Sequence, residues 1–352
     1  MTKLIPIRPE IRSLRAYRLE DDEPFPILAK LDFNESPDEV PEEIRAAVLE
    51  RLKARRWRRY PEFGAPRLKR ALAAAIGRSP DEIVVGNGSG ETILAAVSVF
   101  AGGGTLVLAP PTFSLYGQIA AIASARIASV RRAGPDFAVD EAAFLAEAAR
   151  GVPLLCLPNN PTGGVESSAF VEKLLDAAPV VLLDQAYVEF ARPESDFTGL
   201  VGSRPNLVVF RTLSKAYAAA GFRIGYAVAP PDLAREIDKA VLPFNVDLAA
   251  EELALALLAR PDSAKARVAR VVSERERVAG ALRSQGHAVV PSSANFLFMR
   301  PRGGDAAAVR QALREKGVLV RDMTSAAPGF LRVTIGSPAE NDLFLSVLQE
   351  VS

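Results

Sequence analysis

Short apolar runs recur through the middle of the chain, at residues 82–85, 105–109, 154–157, 180–183, 207–210 and 224–229. They are rich in Val, Leu and Ile and have the length of strands buried on both faces. Longer stretches with a helical pattern separate most of them, at 91–100, 115–124, 140–150 and 167–178. This alternation predicts a mostly parallel sheet covered by helices. Such sheets bind ligands beyond the carboxyl ends of their strands. Four polar clusters fall there: Gly86-Asn87-Gly88-Ser89, Asn159-Asn160, Asp184 and Ser214-Lys215.

Beyond residue 244 the texture changes. Ala- and Arg-rich helical patterns at 248–258 and 263–285 lead into a strand, a helix and a strand at 295–299, 305–316 and 331–335. The expected organisation is an N-terminal arm over 1–30, a large domain over 51–244 that carries the polar clusters, and a smaller α+β domain built from 31–50 and 245–352.

Composition narrows the chemistry. A formal net charge of +1 gives no reason to expect nucleic acid or an anionic membrane as partner. Cys156 is alone, which rules out an internal disulfide and a Cys-based zinc site. It sits in an apolar run and reads as a buried strand residue. His287 is also alone, in a turn-like stretch, and reads as a loop or core histidine rather than the base of a Ser-His-Asp or Cys-His mechanism. Acid–base work therefore falls to Lys, Tyr, Asp or Glu, with no metal expected. No apolar run approaches the ~20 residues that span a bilayer, and residues 1–6 lack the apolar core of a signal peptide. The expected location is cytoplasmic.

Lys215 follows a buried strand, at a strand mouth where an amine is readily desolvated. Desolvation lowers an amine's pKa and suits it to Schiff-base formation and proton transfer. Thr212, Ser214 and Arg223 nearby are of the kinds that hold a phosphate. Taken alone, Ser-Lys fits an ordinary surface lysine after a strand better. Gly86-Asn87-Gly88-Ser89-Gly90-Glu91-Thr92 opens a helix, and its amides make an anion site. A plain glycine turn is the alternative. A dinucleotide fingerprint fits poorly, because the third glycine comes one residue early. Asn160 can donate to a phenolate oxygen or shape an Asn-Pro turn. Asp184 ends a buried strand, where a charge needs a partner such as a protonated ring nitrogen; a helix-capping aspartate fits the same spacing.

Together these segments resemble the fold type I aminotransferases that use pyridoxal 5′-phosphate (PLP), and more closely the histidinol-phosphate aminotransferase family. The resemblance runs from Arg12-Ser13-Leu14-Arg15-Ala16-Tyr17 and Leu31-Asp32-Phe33-Asn34-Glu35-Ser36-Pro37 through Arg59-Tyr60-Pro61 to Leu331-Arg332-Val333-Thr334. It implies an α/β fold, with a mostly parallel mixed sheet sandwiched by helices and a smaller α+β domain.

The resemblance also implies roles. Lys215 carries PLP as a Schiff base and moves the proton. Asp184 pairs with the pyridine nitrogen, and Asn160 and Tyr187 hold the ring oxygen. Tyr116 stacks on the ring, though a packed helix aromatic fits its position too. Ser89, Gly90, Thr212, Ser214 and Arg223 cradle the phosphate, joined by Tyr60 from the other subunit of a homodimer. Arg332 and Arg321 grip the substrate's anionic group, with ordinary surface arginine as the alternative. Tyr17 and Asn34 line the substrate side. Gly90 and Gln185 stand where the family usually has Asp and Glu.

The implied reaction passes the amino group of L-histidinol phosphate to 2-oxoglutarate, in histidine biosynthesis. An aromatic amino-acid aminotransferase and a threonine-phosphate decarboxylase keep the same cofactor residues. A non-catalytic PLP sensor is the reading of a different class, and it would need a helix-turn-helix segment as well. A nicotinamide dehydrogenase is disfavoured by the glycine spacing.

Overall fold

A computed structural model describes residues 5–14 and 26–352. Strand β1 (Ala29–Leu31) opens the described core. Seven strands follow: β2 (Ile83–Asn87), β3 (Thr105–Leu108), β4 (Arg126–Ser129), β5 (Val152–Cys156), β6 (Val181–Asp184), β7 (Leu207–Thr212) and β8 (Ile224–Val228). They form one sheet in the order β2-β8-β7-β6-β5-β3-β4, in which β8 alone runs against the rest. The expected runs are six of its seven strands, β2, β3, β5, β6, β7 and β8. The edge strand β4 is additional: its residues are mostly exposed, so no apolar run marks it.

Successive residues of each strand face opposite sides of the sheet. Val85, Val107, Leu155, Leu183 and Val209 enter one apolar cluster; Val84, Leu106, Leu154, Leu182 and Phe210 enter the other. Helices cover both faces, which is why these strands are apolar throughout. Several helices start where a side chain caps a free N–H: Asp140 accepts from Ala143, Ser167 from Phe170 and Asp247 from Ala249 and Ala250.

The C-terminal part adds β9 (Ala288–Val290), β10 (Phe296–Arg300), β11 (Val318–Asp322) and β12 (Leu331–Thr334). With β1 they build a second sheet, ordered β1-β11-β12-β10-β9 and antiparallel except for β1 beside β11. Helices Pro261–Ser284, Ala306–Glu315 and Pro338–Val351 bury their apolar faces on it.

Packing departs from the expected division in one respect. Ile44 and Val48, with Leu253, Ala254 and Leu257, belong to the cluster beneath the seven-stranded sheet. The expected smaller domain, 31–50 and 245–352, takes in the helix Leu248–Leu258 and the first nine residues of the helix Glu42–Ala54. They lie against each other instead, and Arg55 and Arg67 meet the buried Glu251 and Glu252 there.

Candidate active site

The turns at the carboxyl ends of β2, β3, β5, β6 and β7 converge on a cavity of about 620 Å³. Segments 33–35 and 321–326 and Arg332 close it from the side of the second sheet. A larger cavity of about 990 Å³ lies elsewhere, beside helix Pro261–Ser284, and none of the expected site residues lines it.

Lys215 stands three residues beyond β7 with its Nζ 3.1 Å from the Phe33 carbonyl. Burial pushes its pKa down to about 7, and the positive charges of Arg332 and Arg223 add to that, partly opposed by Glu35. The amine therefore exists in part as the neutral nucleophile near physiological pH.

Asp184 ends β6, almost sealed from solvent. Its Oδ2 accepts from the Tyr116 hydroxyl at 2.6 Å and its Oδ1 from the Ala186 N–H at 3.1 Å. Burial raises its pKa, against the lowering effect of those two donors and of Lys215. Among the described residues no cationic side chain hydrogen-bonds to it. A buried carboxylate served only by neutral donors and facing a cavity suits a cationic ring nitrogen.

Tyr187 follows in the same turn. Its hydroxyl oxygen accepts from Asn34 Nδ2 at 3.1 Å and from Asn160 Nδ2 at 3.2 Å. With two amides on the oxygen, the phenol's own hydrogen is left to donate toward the cavity. Burial pushes this phenol up to about 12, so it stays protonated and a donor.

The phosphate side is built where β2 meets helix Ser89–Phe100, whose first N–H groups are unpaired within the helix. Gly88 has φ +80°, and a side chain there would collide with the Arg223 guanidinium. Gly225 is held to glycine by the backbone of Ser89 pressed against it. The Thr212 hydroxyl donates to Ser214 Oγ at 2.9 Å, tying both hydroxyls into one cup. Ser89, Gly90, Thr212, Ser214 and Arg223 all line the cavity.

On the opposite wall, Arg321 and Arg332 are direct cross-strand neighbours in β11 and β12. Arg332 donates to Asn160 Oδ1 at 2.7 Å and to the Asp32 carbonyl at 2.6 Å. Arg321 lies over the Phe33 ring. Like charges placed opposite each other repel, so the pair suits an anion between them.

One expected placement is corrected. Tyr116 does not line the cavity; it is fully buried and bonded to Asp184. Phe113, one helical turn earlier, stands on the wall with Tyr116 edge-on to it, ring centroids 5.6 Å apart. Both aromatics lie in the segment singled out from the sequence, but spacing alone does not say which one faces inward. Tyr60 is exposed, stacked on Phe244, and does not line its own chain's cavity. Tyr17 lies outside the described residues. Gln185 serves the scaffold, its amide bonded to the Ser195 carbonyl and the Phe197 N–H. Cys156 and His287 are both buried. Among the described residues no cluster suited to a metal ion occurs.

The comparisons with known proteins agree with this geometry. Residues 26–348 match the family model for aminotransferase class I and II. A histidinol-phosphate aminotransferase from Gloeobacter violaceus is 39% identical over 97% of this chain and 96% of its own. An aromatic amino acid aminotransferase from Rhodococcus erythropolis is 38% identical over 97% and 94%. The crystal structure of histidinol-phosphate aminotransferase from Sinorhizobium meliloti, in complex with pyridoxal-5′-phosphate, superposes with a TM-score of 0.89 at 26% identity, covering 99% of this chain and 98% of that one. The chain belongs to the class I and II aminotransferases.

Proposed function

We propose that the protein transfers the amino group of L-histidinol phosphate to 2-oxoglutarate through bound PLP, giving imidazole-acetol phosphate and glutamate. The observation that carries this reading is a desolvated lysine and a buried carboxylate hydrogen-bonded only by neutral donors sharing one cavity, Lys215 and Asp184. PLP supplies the carbonyl that takes up the amino group and a ring that withdraws electrons from it.

This chain's residues supply the rest. Lys215 removes the substrate's Cα proton and returns it on the cofactor side, a task suited to an amine that titrates near neutrality. Asp184 holds a proton at the ring nitrogen, and Tyr187, backed by Asn34 and Asn160, donates to the ring oxygen. Phe113 packs against the ring face. The serine, threonine and arginine cup takes the cofactor phosphate. Arg321 and Arg332 bind the substrate's anionic end, and a guanidinium pairs equally with a phosphate or a carboxylate. One pair of arginines therefore serves both the amino donor and the keto acid.

Tyr60, with Phe63 and Phe244, belongs to an exposed aromatic patch. In our reading this patch meets a second copy of the chain and brings Tyr60 to that copy's cofactor phosphate. The two sheets with their helices would be the two domains. No helix among the described residues is long and apolar enough to cross a membrane, and the assigned place is the cytoplasm.

An aromatic substrate is the second reading, supported by the Rhodococcus relative and by Phe33 and Phe113 on the cavity wall. The test is one half-reaction. PLP-loaded protein receives L-histidinol phosphate without keto acid, and its absorption is followed, with phenylalanine, tyrosine and threonine phosphate as parallel samples. Rapid conversion by histidinol phosphate alone supports the main reading. Conversion by phenylalanine or tyrosine instead moves the assignment to the second, and carbon dioxide released from threonine phosphate moves it to a decarboxylase.

A further inference from the structure

Tyr116 is sealed from solvent below the cavity floor, yet its hydroxyl lies 2.6 Å from the Asp184 carboxylate. The backbone N–H of Ala186 holds the other oxygen of Asp184 at 3.1 Å, so neutral donors grip the group on both sides. The Cys156 thiol also lies within reach of the Tyr116 hydroxyl, but a neutral thiol is a weak acceptor beside a carboxylate. The Cys156 thiol turns to the Pro158 carbonyl at 3.2 Å, and burial keeps it protonated. Lys215 acts on Asp184 only through its charge.

We propose that Tyr116 is a positioning residue for the transamination: its hydroxyl keeps Asp184 charged and aimed at the ring nitrogen of bound PLP, so that the proton they share rests on the nitrogen. The proposal builds on the function assigned above. A carboxylate and a pyridine nitrogen divide one proton according to their relative basicities. Burial in a low dielectric makes a carboxylate more basic, and a donor bonded to its charged form makes it less so. Asp184 is subject to both influences. Tyr116 is a lasting donor, because burial and the nearby carboxylate hold its pKa well above the ordinary phenol value. Without the hydroxyl the balance tips, Asp184 draws the proton back, and the ring loses the charge that withdraws electrons. The segment has a second effect on the same ring. Phe113 lies in the turn that enters helix Leu115–Ile122, so one turn of chain sets both the wall and the donor beneath it.

The experiment loads wild-type and Tyr116→Phe proteins with PLP carrying ¹⁵N in the ring and records the nitrogen shift. Half-reaction rates are measured on the same samples. The wild-type signal is expected in the protonated range and that of Tyr116→Phe displaced toward neutral pyridine. The amino-transfer rate constant should fall ~10–100-fold with KM within about threefold, the mark of an interaction used in the transition state. An unchanged shift in Tyr116→Phe overturns the proposal. Borohydride reduction and peptide mass analysis of the wild type check the underlying function separately: no PLP on Lys215 removes that reading, whereas labelled Lys215 with an unchanged shift removes only the role of Tyr116. Should Tyr116→Phe not fold, 4-aminophenylalanine at 116 fills the same space with a weaker N–H donor. A shift between the wild-type signal and that of neutral pyridine then supports the proposal, and a wild-type shift overturns it.

Discussion

An amine held near pH 7 inside a protein is costly to charge, and Lys215 carries that cost in the cofactor-free state. Its ordinary value is 10.5, so between about 7 and 10.5 the unfolded chain binds the proton that the folded chain has released. Stability then rises with pH across this window, and the penalty is fully present below it. Lys215→Met apoprotein should be more stable than wild type at pH 6 by about 1–3 kcal/mol, a fraction of the full desolvation cost because the side chain is not wholly enclosed. The difference should shrink steadily toward pH 10.5, as urea melts would show; a constant difference would contradict a depressed amine. In the loaded enzyme, Lys215→Ala should abolish turnover, and Asp184→Ala should slow it by orders of magnitude with the fold intact. Steady-state assays and circular dichroism separate these outcomes. Both residues are legible in the sequence because each sits at the carboxyl end of a buried strand. The exchange of Phe113 and Tyr116 was not legible. Three residues apart across a helix start, either aromatic can face the ligand, and the contact that decides it is to Asp184, 68 positions away in the chain.

Strand ends do the same service for the arginines, through a different sheet. Register places Arg321 opposite Arg332, so the two charges are fixed together before any substrate arrives. Hydrogen bonds from Arg332 to Asn160 and to the Asp32 carbonyl hold its plane. Arg332→Ala should lower kcat/KM in the half-reaction about 10²–10³-fold, the loss expected for a desolvated, charge-assisted pair. Arg332→Lys should recover little, since an ammonium lacks the planar fork; recovery to near wild-type rates would show that charge alone suffices. The apolar runs gave away six of the seven strands because those strands, the edge strand β2 included, are buried on both faces. Edge strand β4 is mostly exposed and carries no such run. The three-residue strands β1 and β9 are too short to show a period. The helix Glu42–Ala54 declares an apolar face through Ile44 and Val48, but nothing local says that this face belongs under the larger sheet.

At the scale of the whole molecule, the proposed site takes a residue from a second copy of the chain. Tyr60 is 80% exposed, Trp57 76% and Phe63 74%, and Leu242 in the segment leading to Phe244 is 71% exposed. An apolar surface of that kind marks an interaction site. The resemblance assigns Tyr60 to a neighbour's phosphate, and its absence from its own chain's cavity is what that assignment requires. A closed two-fold pair would use the patch twice, each copy lending its Tyr60 to the other. The arrangement is tested with two inactive proteins. Lys215→Ala keeps a sound Tyr60 but has no working amine; Tyr60→Phe keeps the amine but lends a ring without its hydroxyl, and its own loss of activity must be established first. Unfolded together and refolded, half of the pairs would be mixed, and each mixed pair holds one site with an intact Lys215 and an intact Tyr60. Random pairing therefore restores about a quarter of all sites, and the half-reaction amplitude should reach that fraction of the wild-type value. Since neither parent alone can supply such a site, no recovery in verified mixed pairs would mean that Tyr60 does not act across an interface.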